Sequence, residues 1–243
     1  MLPDPKASAD VLREKANQVL PPIDLNAIIR QFPHLVVKEI ELDGEGLFVD
    51  LASHGSEIYL KRDAGPLRKR FTLAHEIGHL ILAESGGHPV GYRKSKKVKN
   101  TVEHWCNTFA ANLLMPRDDV LRFLRQSKLS GLIEALCSGP QVFRVSHQAF
   151  RMRVAEIAPL TAYVLEADKG GYKLKEFFLS NVKDDLRWAE CMNSIISPML
   201  EHSETRTRIA RTKEATIVAG RSKATARRGE FLVILVPSAL ATS

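Results

Sequence analysis

Two histidines four residues apart, His75 and His79, sit inside the apolar run Arg70-Phe-Thr-Leu-Ala-His-Glu-Ile-Gly-His-Leu-Ile-Leu82. Gly65-Pro66 ahead of the run is a helix-starting signal, because proline suits the first helical turn. Positions four apart share a helix face, so both imidazoles project the same way. Glu76 lies about 100° round from His75, beside that face. Leu67, Phe71, Leu73, Ala74, Ile77, Leu80, Ile81 and Leu82 surround these polar groups, which places the helix inside a domain. Buried imidazoles and a buried carboxylate need partners, and a divalent cation satisfies all three. In His-Glu-x-x-His the glutamate stands where it can take a proton from a metal-bound water.

A third ligand is expected from a second helix over residues 101–115, stopped by Pro116. On its wheel Glu103, Asn107, Ala110, Ala111 and Leu114 share one stripe, whose small residues let another helix approach. Glu103 at the end of that stripe completes a His2Glu set, a zinc arrangement with room for water. The alternatives are His88 on a glycine-flanked loop, His104 at about 100° from the Glu103 stripe, and Glu84 close behind His79. Asn107, one turn beyond Glu103, is placed to hydrogen-bond a ligand histidine. Tyr92, His88, His104 and an arginine near Arg68 are open candidates for stabilising an oxyanion.

Composition narrows the class. The 243 residues are 44% hydrophobic, enough for a core, and no apolar run reaches the length of a membrane span. Cys106, Cys137 and Cys191 are odd in number and far apart, so no disulfide framework is expected. The opening Met-Leu-Pro-Asp-Pro-Lys does not read as a signal peptide, and the expected compartment is the cytoplasm. A net charge of +7 leans toward acidic partners without selecting one.

Along the chain, residues 8–19 read as a helix capped by Ser8, and Asp24 opens a short one. Strand-like runs at 34–42, 46–51 and 57–60 predict a small antiparallel sheet leading into the histidine helix. Arg93-Lys-Ser-Lys-Lys-Val-Lys99 reads as a charged surface loop. Helices follow at 118–125, at 129–136 ending on Ser138-Gly-Pro140, and at 147–157 capped by Ser146. Their spacing is helix-turn-helix-like, and Arg151 and Arg153 are candidates for nucleic-acid or partner contact. Beyond Pro159 the pattern changes to a hairpin over 161–179, a helix over 184–199 and a buried strand over 229–236. The basic stretch from Arg206 to Arg228 reads as a solvated segment or an acidic-partner contact.

Arg-Phe-Thr-Leu-Ala-His-Glu-Ile-Gly-His with the later Glu-x-x-Cys-Asn-x-Phe-Ala-Ala-x-Leu-Leu-Met-Pro resembles the bacterial ImmA/IrrE metallopeptidases over roughly residues 10–155. By that resemblance His75, His79 and Glu103 correspond to metal ligands and Glu76 to the catalytic base. The resemblance implies an α+β chain: a zincin-like metallopeptidase domain at 1–116, a helical helix-turn-helix-like subdomain at 117–158 and a small α/β, GAF-like sensor domain at 159–243. It implies zinc, or manganese in the cell, as cofactor. Its implied activity is cytoplasmic cleavage of a helix-turn-helix repressor, relieving repression of stress, DNA-damage or mobile-element genes. The rival is a DNA- or protein-binding regulator whose metal site is structural or vestigial. A structural zinc usually takes four protein ligands, which would leave Glu76 without a task. A hydrolase of small molecules is the third class, because the motif specifies chemistry and not substrate.

Overall fold

The computed structural model describes residues 2–51, 54–86 and 96–158 and the strand segments 161–168, 171–178, 208–211, 215–220 and 230–237. The chain divides into two compact units, Met1–Asp119 with Gln141–Ser146, and Val120–Pro140 with His147–Ser243.

The first unit opens with α1 (Pro5–Lys15), whose cap is Asp4 and not the expected Ser8. Asp4 accepts from the Lys6 amide, and Pro5 supplies a first-turn residue that needs no donor partner. Ser8 lies inside the helix and its hydroxyl donates to the Asp4 carbonyl at 2.9 Å. Asp24 caps α2 (Leu25–Ile29), as its sequence suggests. Strands β1 (Leu35–Ile40), β2 (Gly46–Asp50) and β3 (Ser56–Lys61) follow in the sheet order β1-β3-β2. The sheet is mixed, which corrects the antiparallel expectation: β1 runs parallel to β3 and β2 antiparallel to it. The strand carrying the buried residues takes the middle. Ile58 and Leu60 of β3 are 0% and 4% exposed, whereas β1 and β2 have no fully buried residue. A central strand uses both its hydrogen-bonding edges, so the apolar segment gains most from that position.

Helix α3 (Pro66–Glu84) starts on Pro66 and buries Ala74, Ile77, Leu80 and Leu82. It packs on the sheet and on α4 (Lys96–Leu114). Gly78 faces α4 closely. A Cβ there would lie 3.2 Å from the Phe109 ring and 3.3 Å from the Cys106 backbone. Even an alanine there would require its neighbours on α4 to give by a few tenths of an ångström. α4 begins inside the basic run expected to be loop, then carries Val102, Cys106, Phe109, Ala110 and Leu113 into the core. The Trp105 indole N–H donates to the Pro3 carbonyl at 2.6 Å, tying the N-terminal segment to α4.

Helices α5 (Arg117–Gln126), α6 (Lys128–Phe143) and α7 (His147–Ile157) come next. α6 runs straight through Gly139-Pro140, which the sequence had suggested as its end. Both residues are buried and the Phe150 ring packs directly on Gly139. Burial around them outweighs the lost backbone hydrogen bond.

The second unit also holds a five-stranded sheet in the order β5-β4-β8-β7-β6, with every neighbouring pair antiparallel. β4 (Thr161–Asp168) and β5 (Gly171–Phe178) form the anticipated hairpin, and β8 (Glu230–Pro237) is the central strand. β6 (Arg208–Arg211) and β7 (Ala215–Gly220) occupy part of the basic stretch read as a solvated segment. Val218 and Ala219 there are 0% and 1% exposed, so an apolar strand was hidden among basic residues. The helix expected over 184–199 lies outside the described residues. No helix among the described residues is long and apolar enough to cross a membrane.

Candidate metal centre

Two helices and one strand edge build the site. α3 presents His75, Glu76 and His79, α4 presents Glu103, and β2 closes one wall. Together they line a cleft of about 960 Å3 with Gly46, Phe48 and Lys99 among its other walls.

The donor atoms converge. His75 Nε2 and His79 Nε2 are 3.2 Å apart, and Glu103 Oε2 lies 3.2 Å from the first and 3.9 Å from the second. Zinc bound by nitrogen and oxygen at about 2.0–2.1 Å in a tetrahedron needs ligand atoms about 3.3 Å from one another. Two of the three spacings match that figure and the third is slightly wide. The ring orientation also fits. Asn107 Oδ1 is 2.9 Å from His75 Nδ1. Because that oxygen can only accept, Nδ1 carries the proton and Nε2 offers its lone pair to the site.

Glu76 is 6% exposed and points into the same cleft. Burial, and then the neighbouring Glu103 charge, push its carboxyl up to about 7, against a hydrogen bond from the Phe48 backbone N–H. A carboxylate with that pKa is poised to exchange a proton near neutrality.

Cys106, one turn after Glu103 on α4, was not singled out by the sequence reading. Its sulfur lies with the His75 and His79 ring nitrogens in a group whose donor atoms are all within 4.8 Å of one another. The side chain is fully buried, and burial, then Glu103 and Glu76, push its thiol well up. Glu103 Oε2 lies 3.2 Å from His75 Nε2 and offers a carboxylate, whereas the Cys106 thiol must first lose a proton that its surroundings hold on. Helical spacing alone, Glu103 plus three, would have pointed to Cys106.

The remaining candidates fall away from the cleft or outside the described residues. His104 is exposed and so is Glu84 at the end of α3. Arg68 pairs with Glu45 at 2.8 Å and does not line the cleft. His88 and Tyr92 lie outside the described residues. Lys99, at the end of the basic run, is the lysine among the described residues that line the cleft. On α7, Arg153 is 3% exposed and its guanidinium donates to Glu156 at 2.9 Å. Of the two residues offered for nucleic-acid or partner contact, Arg153 is therefore buried, and Arg151 near it is half-buried.

A family model described as the IrrE N-terminal-like domain of the M78 peptidases matches residues 33–155, over half of the chain and all of the site. No curated protein sequence matches. Among solved structures, one described as a Mycobacterium tuberculosis transcriptional regulator is similar with a TM-score of 0.54 and 14% identity. The similarity covers 99% of this chain and 90% of that one, and shows a shared fold.

Proposed function

Since the chain belongs to the M78 peptidase family, with an IrrE N-terminal-like domain, we propose that it is a metal-dependent, site-specific peptidase acting on a helix-turn-helix repressor. The observation that carries this reading is the mutual spacing of His75, His79 and Glu103, with a buried carboxylate of raised pKa beside them. His75, His79 and Glu103 would hold the ion, zinc or, in the cell, manganese. Bound there, it would supply Lewis acidity toward a water and a carbonyl. Glu76 takes the proton of the attacking water and passes it to the leaving amine. Asn107 keeps His75 in the tautomer that binds. The cleft wall formed by β2 lies against Glu76, and its Phe48 amide donates to the carboxylate.

A regulatory role sits well with the similar structure's description as a transcriptional regulator. Residues 159–243 then serve as a GAF-like sensing module that controls the cytoplasmic peptidase. The test is incubation of the zinc- or manganese-loaded protein with the helix-turn-helix repressor encoded beside its gene. Glu76→Gln should retain metal and fold while cleavage falls by roughly three orders of magnitude or more. Wild-type relief of repression in cells without any cut product would replace this reading with that of a binding regulator.

A further inference from the structure

Strand β2 reaches the candidate base at its first residue. A Cβ at Gly46 would fall on the Thr72 methyl and 2.7 Å from Glu76 Oε1, with Glu76 Cδ at 3.2 Å. Two residues on, the Phe48 N–H donates to the same carboxylate. The strand has little room to retreat, because Gly46 pairs in register with Leu60 of β3 and the Lys61 amide donates to the Glu45 carbonyl at 3.1 Å. Gly44, two residues earlier, has no such neighbour: its nearest atom would be 3.9 Å away. The demand for glycine therefore belongs to position 46 and not to the turn as a whole.

We infer that Gly46 is a positioning residue for the base: its missing side chain lets the β2 edge close on Glu76, so that the Phe48 amide fixes where the carboxylate points. The inference rests on the reading of Glu76 given above. A side chain at position 46 would push Glu76 off the Phe48 amide and away from the proton it must take. A misplacement of about 1 Å is enough to lower a rate on the order of a hundredfold.

The experiment uses the full chain loaded with zinc, comparing wild type with Gly46→Ala, Gly44→Ala, Thr72→Ala and Gly46→Ala/Thr72→Ala. Glu76→Gln is made with and without Gly46→Ala. Bound zinc, unfolding midpoint, affinity for acetohydroxamate and repressor cleavage are measured on each. Acetohydroxamate is a metal-chelating probe whose hydroxyl proton a carboxylate beside the ion accepts, so it reports the base's position without turnover. Gly46→Ala should keep its zinc, lower kcat about a hundredfold with KM unchanged and weaken acetohydroxamate roughly tenfold. Gly44→Ala and Thr72→Ala should behave as wild type. Adding Thr72→Ala to Gly46→Ala should leave the rate low, because the Glu76 conflict persists. In the Glu76→Gln background Gly46→Ala should cost nothing further.

Wild-type kcat and hydroxamate affinity in Gly46→Ala would overturn the inference. So would recovery on trimming Thr72, which would make the glycine a packing requirement alone. Failure to fold even with Thr72 trimmed, or an equal loss on top of Glu76→Gln, would overturn it too. Wild-type cleavage by Glu76→Gln alone would instead remove the base assignment beneath it, so the two failures are told apart.

Discussion

Helices α3 and α7 each bury charge-bearing side chains, and they resolve the problem in opposite ways. On α7, Arg153 is 3% exposed and has an anion one turn away in its own helix, Glu156, at 2.9 Å. Its charge is answered locally. On α3, Glu76 is nearly as buried, but the charge facing it is a second carboxylate, Glu103, and two imidazoles stand beside both. Desolvation there is compounded by like charge. A buried cation that carries its own counter-ion asks for no ligand. On α3 the Glu103 carboxylate raises the cost of ionising Glu76, and a cation held between them would lower it.

The sharpest way to break that contrast is to remove a donor from each region. His79→Ala should lower zinc affinity roughly a thousandfold or more and abolish the metal-dependent rise in unfolding temperature. At zinc a thousandfold above its Kd that rise corresponds to about 4 kcal/mol. Arg153→Ala should leave zinc affinity untouched. Equilibrium dialysis and thermal unfolding with and without zinc read both, and equal effects on zinc binding would erase the distinction between the helices.

The second effect is a dependence on pH in the metal-free protein. Glu76 titrates near 7 when folded and near 4.5 in an unfolded chain, so the folded form holds the extra proton between those values. Its ionisation burden is absent below about 4.5 and complete above about 7. The metal-free protein should therefore gain stability from this group as pH falls through that window, by up to about 3 kcal/mol. Glu76→Gln should remove the slope and be the more stable protein at pH 8. Denaturant unfolding of both chains across pH 5–8 checks the sign, and parallel curves would contradict the raised pKa.

The histidine helix was legible because its information is local. Four-residue spacing puts His75 and His79 on one face whatever the rest of the chain does, and the wheel of α4 brings Glu103 and Asn107 to the same side. What the sequence hid depends on partners far along the chain. Neither Leu35–Ile40 nor Gly46–Asp50 says that β3 will lie between them, since the choice follows from which strand covers the core. Pro140 reads as a stop until the Phe150 ring is seen packed on Gly139. Arg153 reads as a surface cation until its burial is known. Cys106 read as one more apolar residue of α4, although it stands one turn from Glu103.

The histidine tautomer gives a third, smaller effect. Asn107→Ala removes the acceptor 2.9 Å from His75 Nδ1 and frees that ring to present the wrong nitrogen. Zinc affinity should fall tenfold to a hundredfold, about 1.4–2.8 kcal/mol, with the fold unchanged. Asn107→Asp keeps an acceptor and should bind more tightly than the alanine variant. Competition with a zinc chelator ranks the three proteins, and equal affinities would show that Asn107 does not orient the ring.

The smallest effect is the most direct test of the comparison, because one chemical change is made in both helices. Glutamate to glutamine keeps the shape and removes the charge. At Glu156 the carboxylate is 52% exposed, so water screens its attraction for Arg153 and the pair is worth at most about 1 kcal/mol. The amide oxygen of Glu156→Gln can still accept from the guanidinium, so the buried donor is not orphaned. Stability at pH 8 should therefore fall by less than about 1 kcal/mol. At Glu76 the same substitution should raise stability in the metal-free protein, since the charge removed is buried and faces another carboxylate. Zinc should reverse that order, because the bound cation then favours the ionised carboxylate that Gln lacks. Opposite signs without metal, collapsing toward the same sign with it, are the expected pattern in paired unfolding curves. Two variants that shift the same way in metal-free buffer would mean that the charge on α3 is already answered within the chain.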